Sequence, residues 1–219
     1  RYAKNYLRSV KGVDESVGRL MDELEAMGLA ENTIVIYSSD QGFYIGDHGW
    51  YDKRWMYEES LKMPFIVKWP GVTLPGSRND LMIQNIDYAE TFLDIAGAPI
   101  PSDMQGRSLV PLLRGQEPAN WRKSIYYHHY EYPSVHMVPR HYGIRTERYK
   151  LMLFYQFDEW EFYDLETDPD ELTNRYGDMR YQDTIERLKR DLDALQEQYR
   201  DDSDVSVKPA AWQAQMREG

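Results

Sequence analysis

Hard oxygen donors, an imidazole and an ammonium fall close together in Ser38-Ser39-Asp40-Gln41-Gly42 and Gly46-Asp47-His48-Gly49-Trp50-Tyr51-Asp52-Lys53. Asp40 offers a carboxylate and Gln41 an amide carbonyl, ligand types that suit calcium or magnesium, and Gly42 frees the backbone to turn so that neighbouring side chains can face one ion. The same residues also build an Asx-type turn that ends a strand and binds nothing. The Lys53 ammonium could hold an anionic substrate, and His48 could donate to it or to a leaving oxygen. A solvated lysine and a turn-capping histidine are the plain alternatives. Taken together, the set has the composition of an anion and metal site.

The element that must present this set is residues 33–37, β-branched or aromatic throughout after Thr33, which reads as the central strand of a parallel sheet with both faces covered. In open α/β sheets ligands bind at the carboxyl ends of strands, where this motif begins. Before it, Tyr6, Val10, Val13, Val17, Leu20, Met21, Leu24 and Met27 trace one face of a helix that Gly28 closes. Helix, short loop and strand give the rhythm of a doubly wound sheet. After it, residues 63–71 read as a second strand stopped by Pro70-Gly71, and residues 87–96 as a helix with Asp87 at the N-cap and Gly97 as the stop. Residues 109–113 form a further apolar turn, and residues 115–120 resemble a linker.

From Ser124 the pattern changes to short aromatic runs over 124–130, 141–145, 150–155 and 160–165, spaced like an antiparallel meander. A long helix over 181–199 carries Ile185, Leu188, Leu192, Leu195 and Tyr199 on one stripe. The tail from Asp201 is acidic and then polar, and is expected to be loosely held. The predicted fold class is therefore α/β, with the later part of a doubly wound sheet over residues 1–120 and a small α+β domain, antiparallel sheet on a long helix, over 121–219.

The 219 residues carry a formal charge of -11, from 37 acidic and 26 basic side chains, which argues against a binder of the nucleic-acid backbone. No apolar run approaches the roughly 20 residues that span a bilayer. With no cysteine in the chain, disulfides, thiolate zinc sites and a cysteine nucleophile are excluded within it. Aromatic residues make up 14% of the chain, compatible with sugar-stacking surfaces as well as with an aromatic core.

Ser39-Asp40-Gln41-Gly42, the run from Gly46 to Lys53, Tyr57-Glu58-Glu59-Ser60, and Pro64-Phe65-Ile66-Val67 with Trp69-Pro70-Gly71 resemble, in order and spacing, the second half of a formylglycine-dependent sulfatase of the alkaline phosphatase superfamily. Tyr142-Gly143-Ile144-Arg145-Thr146, Tyr149-Lys150-Leu151, Glu161-Phe162-Tyr163-Asp164-Leu165 and Asp168-Pro169-Asp170-Glu171-Leu172 resemble the small C-terminal domain of bacterial carbohydrate sulfatases. The resemblance implies that Asp40 and Gln41 supply two ligands of one calcium ion, that Lys53 contacts the sulfate, and that His48 stands at the sulfate or sugar rim. It also implies that His141 and Arg145 approach the substrate, a sulfated carbohydrate. Its formylglycine would arise from a Cys/Ser-x-Pro/Ala-x-Arg motif beside an Asp-Asp calcium pair, and neither occurs here, the one Asp-Asp being Asp201-Asp202. The chain is thus expected to be the C-terminal portion of such an enzyme, inactive without its N-terminal half, with export to the periplasm or beyond. A binuclear-zinc phosphodiesterase or phosphatase of the same superfamily, in which Asp47-His48 would be the metal pair, and a non-catalytic glycan-binding module are the alternatives.

Overall fold

The computed structural model describes residues 1–202. Helix α1 (Tyr2–Ala26) leads through a short 3-10 turn at Ala30–Asn32 into β1 (Val35–Ser38), and a long loop ends in the single turn α2 (Glu58–Leu61) before β2 (Phe65–Lys68). Helices α3 (Asp87–Ile95) and α4 (Val110–Leu113) follow, then β3 (Ser124–His129), β4 (His141–Thr146), β5 (Tyr149–Phe154), β6 (Glu159–Asp164) and α5 (Gln182–Tyr199). The helix, strand and meander expectations match these elements closely. The expected loose tail lies outside the described residues apart from Asp201 and Asp202. No helix among the described residues is long and apolar enough to cross a membrane.

Two expectations are corrected. β1 pairs antiparallel with β2, Tyr37 opposite Ile66, in a sheet of two strands. Tyr37 and Ile66 are exposed, so β1 is not covered on both faces among the described residues. The connection between the strands doubles back and returns to the end of β1 it left, whereas a parallel pair needs a crossover to the opposite end. Asp87 is the first residue inside α3 rather than its N-cap, which is Ile86. Its fully buried carboxylate is taken by the Arg122 guanidinium in a two-pronged pair and by the main-chain N–H groups of Gln84 and Arg107.

The meander β3-β4-β5-β6 positions the rest. Strand alternation sends Ile144, Leu151 and Phe162 to one face, where Ile185, Leu188, Leu192 and Leu195 of α5 close over them. The alternate residues Met152, Phe154 and Tyr163 face the other way and pack on Tyr44, Met56 and Tyr57, which belong to the loop after β1. The chemistry-bearing loop is thus the second layer of the sheet. Gly143 permits it: a Cβ there would stand 2.7 Å from Met56 Sδ and 2.5 Å from Leu151 O.

A buried charge cluster fastens the loop's end to the sheet. Lys150 on β5 is fully buried, with Nζ 3.0 Å from Glu58 Oε1 and 2.6 Å from Glu171 Oε1. Arg145 on β4 grips both oxygens of Glu58, at 3.2 and 3.0 Å, and Glu171 Oε2 accepts the Glu58 main-chain N–H at 2.7 Å. Burial opposes ionisation of Glu58, but Lys150 and Arg145 outweigh it and hold its carboxyl down to about 2. Burial raises Glu171, against the pull of the same lysine.

Glu58→Gln leaves Lys150 and Arg145 undercompensated and is expected to cost about 3–5 kcal/mol of unfolding free energy. Because the folded carboxyl is depressed from 4.5 to about 2, its contribution is present above pH 4.5 and lost as pH falls toward 2. Denaturant titrations of both proteins across that window check this: the variant should lack that acid-dependent component.

Candidate functional site

The loop after β1 brings distant residues together by folding back as a hairpin. Tyr44 N–H donates to Asp52 O at 2.8 Å and Gly46 N–H to Trp50 O at 3.0 Å, so the chain returns and sets Lys53 beside Asp40, 13 positions earlier. The ammonium of Lys53 pairs with Asp40 Oδ2, and this contact holds the Asp40 carboxyl below its usual range. Stacking of Tyr6 on Phe43 and an edge contact between Tyr2 and Tyr51 brace the loop against α1.

Ser60, fully buried in α2, is the clamp that sequence reasoning missed. Its hydroxyl donates to Lys53 O at 2.6 Å and accepts the Gln41 amide N–H at 3.1 Å, so one side chain fixes both members of the site. Gly42 N–H donates to Ser60 O at 2.8 Å, and a Cβ on Gly42 would lie 1.8 Å from Glu59 O. Gly42 is therefore required by close approach to α2, beyond the freedom to turn that the sequence suggested. The motif Tyr57-Glu58-Glu59-Ser60 was the available signal, since it sits on the helical turn α2 that bonds to the loop.

The remaining candidates lie elsewhere. His48 has a left-handed backbone (φ 51) and stacks on Tyr57 at 4.4 Å, with Nε2 3.4 Å from Glu59 Oε2. Asp47 accepts the N–H of Ile45, so Asp47-His48 is a braced turn. His141 is completely buried: Nδ1 donates to Pro139 O at 2.8 Å, and the ring stacks between Trp55 and Tyr127. Burial pushes it down to about 3, so it is neutral. Arg145 is committed to Glu58. Among the described residues, alternation turns 141, 143 and 145 of β4 toward the face that Trp55, Met56 and Glu58 cover in turn.

A cavity of about 720 Å³ does open at Asp40, Gln41 and Ser60, and its far wall is β3 with Tyr126, His128 and Tyr130. His128 Nδ1 lies 2.6 Å from Asp201 Oδ2 and Nε2 3.2 Å from Tyr155 OH. Burial lowers its pKa, while Asp201 opposes the shift. The run Tyr126-Tyr127-His128-His129-Tyr130 read only as strand in the sequence.

Asp40 and Gln41 are adjacent and line one cavity, and a carboxylate and an amide oxygen are donor types that suit a hard cation such as calcium. The Lys53 ammonium at Asp40 shows that this carboxylate already attracts a positive charge. Among the described residues no three His, Cys, Asp or Glu side chains converge on a point that could hold a metal ion.

This α/β body, with a carboxylate and an amide at a strand end and a meander packed on a helix, is the architecture of the alkaline phosphatase superfamily. Within it the chain belongs to the sulfatase family: the family model for N-sulphoglucosamine sulphohydrolase, C-terminal, matches residues 46–198. An N-acetylglucosamine-6-O-sulfatase of Bacteroides thetaiotaomicron is 50% identical over 204 residues, 92% of this chain and 37% of that protein. An arylsulfatase of Clostridium perfringens is 34% identical over 203 residues, covering 90% of this chain and 41% of the relative. Among solved structures, BT4656 in complex with its substrate D-glucosamine-2-N,6-O-disulfate superposes with a TM-score of 0.90 at 48% identity, over 94% of this chain and 42% of that one. The chain thus spans about two fifths of the length of these relatives.

Ser60→Ala removes both bonds of the clamp and leaves Lys53 O without its donor, at an expected cost of about 1–3 kcal/mol. Thermal unfolding reads that loss. Ser60→Thr, which keeps the hydroxyl, separates a lost bond from a crowded one: retention of wild-type stability in the alanine variant contradicts the clamp.

Proposed function

We propose that the complete protein is a sulfatase that hydrolyses a sulfate ester on a glucosamine-type sugar. The observation that carries this reading is the convergence of Asp40, Gln41 and Lys53 at the end of β1, in a chain half identical to an N-acetylglucosamine-6-O-sulfatase. Asp40 and Gln41 would hold one calcium ion together with ligands from outside these residues, and bound calcium would neutralise charge on the sulfate oxygens. Lys53, released from Asp40, would donate to the transferring sulfuryl group, with its backbone held in place by Ser60. The formylglycine nucleophile would come from the missing N-terminal half of the catalytic domain.

The uncovered apolar stripe of α1, with Val10, Val13 and Leu20 exposed, supports a partner surface of that kind. His48 is set toward Glu59 and is not needed in this reading. The division near residue 120 and export to the periplasm or beyond belong to the same proposal. The alternative with two zinc ions gains nothing from the geometry, since Asp47 and His48 are spent on a turn and a ring stack.

In the full-length enzyme, Lys53→Ala should lower kcat for N-acetylglucosamine 6-sulfate by about 10²–10³, the usual loss for one charge-stabilising donor. KM should change much less. Steady-state kinetics check it, and wild-type kcat in the variant would remove Lys53 from the reaction.

A further inference from the structure

Two buried carboxylates of α3 are spent on the rim of the cavity beside Asp40 and Gln41, a task that sulfate chemistry does not set. Asp87 is fully buried and Glu90 is 2% exposed. Asp87 Oδ2 accepts the main-chain N–H of Gln84 at 2.7 Å, and the Asp87 N–H donates to Gln84 O at 3.0 Å. Asp87 Oδ1 accepts the Arg107 N–H at 2.8 Å, and Glu90 Oε1 accepts the Gly106 N–H at 2.5 Å. The turn at 84–86 and the segment at 105–107 are thereby stitched to one helix. They also meet: a Cβ on Gly106 would stand 2.1 Å from Ile86 O, so glycine is what lets the two backbones approach.

This stitching uses main-chain atoms and leaves the side chains of Gln84 and Asn85 uncommitted. Among the described residues neither amide has a hydrogen-bond partner, and both residues line the cavity. Gln105, next to Gly106, lines it too, and its Nε2 donates to Tyr199 O at 3.0 Å, which ties the rim to the end of α5. Each free amide carries two donors and a carbonyl acceptor, the complement of a sugar hydroxyl, which both donates and accepts. Ile83 and Ile86 beside them, the latter 40% exposed, supply apolar surface for the C–H groups between hydroxyls. The volume of about 720 Å³ accommodates a ligand larger than sulfate, within the usual size range of small-molecule sites.

We propose that the Gln84 and Asn85 amides hydrogen-bond hydroxyl groups of the substrate's sugar while the Asp40 and Gln41 end of the cavity takes its sulfate. The proposal rests on the sulfatase reading and names specificity-determining residues for it. A site that offers amides to hydroxyls gains affinity for a sugar ester and nothing for a small aryl ester, which has no hydroxyl to pair. Asp87 and Glu90 hold the backbone beneath those amides, so the rim is set before substrate arrives.

The test uses the full-length enzyme, with N-acetylglucosamine 6-sulfate and 4-nitrophenyl sulfate as substrates and unsulfated N-acetylglucosamine as a binding probe. Combining Gln84→Ala with Asn85→Ala should raise KM for the sugar sulfate by about tenfold, the scale of two hydrogen bonds to neutral hydroxyls, and leave kinetics on the aryl sulfate unchanged. The aryl sulfate thus doubles as the check that the variant is folded. Equal losses on both substrates, no loss on either, or a loss confined to the aryl sulfate overturns the proposal. Calorimetric binding of the unsulfated sugar needs no turnover: binding by wild type that weakens in the double variant supports the amide rim, and equal binding or none by wild type overturns it. Failure of the wild-type enzyme to cleave any sulfate ester would instead count against the sulfatase reading, while the sugar-binding result would stand by itself.

Discussion

The ammonium of Lys150, shut inside the protein between Glu58 and Glu171, is the contact on which the site depends. A buried lysine without a counter-charge would be strongly disfavoured, so Glu58 has to remain where Lys150 and Arg145 can reach it. Glu58 is the first residue of α2, and Ser60 is the third. Fixing Glu58 therefore fixes Ser60, and Ser60 holds Gln41 and Lys53. A charge cluster anchored on the meander thus sets the position of Gln41 and Lys53, which follow a strand of another sheet.

The antiparallel sheet serves as a floor for the loop after β1. Its α5 face is closed by aliphatic packing, and its other face by Tyr44, Met56 and Tyr57. Trp55, stacked on His141, extends that cover to the end of β4. His141 and Arg145 thereby serve the loop's position. A neutral buried ring under Trp55 and a guanidinium on Glu58 keep the hairpin from 44 to 53 on the sheet.

Much of the fold was legible because its signals are local. The stripe from Ile185 to Leu195 and the aromatic runs from Ser124 onward have periods that specify helix and strand directly. The strand at 35–38 was legible as a strand, but its partner and direction depend on where the loop returns, which no period encodes. Asp87 looked like a cap because Asp before an apolar run usually is one; Arg122, 35 positions away, took its carboxylate instead. In the site, Asp40, Gln41 and Lys53 could be read from residue types and spacing. Ser60 and the Tyr126, His128 and Tyr130 wall could not, since their meaning comes from contacts across many intervening residues.

The proposed chemistry requires the β1 loop to be one wall of a calcium site completed by the rest of the enzyme. A crystal structure of the full-length protein, with metal identity established by anomalous scattering and elemental analysis, tests this directly. The expected result is one calcium ion per molecule, with oxygens of Asp40 and Gln41 at about 2.3–2.6 Å and the remaining ligands from the N-terminal part. Two zinc ions, or a calcium ion that touches neither Asp40 nor Gln41, would contradict it.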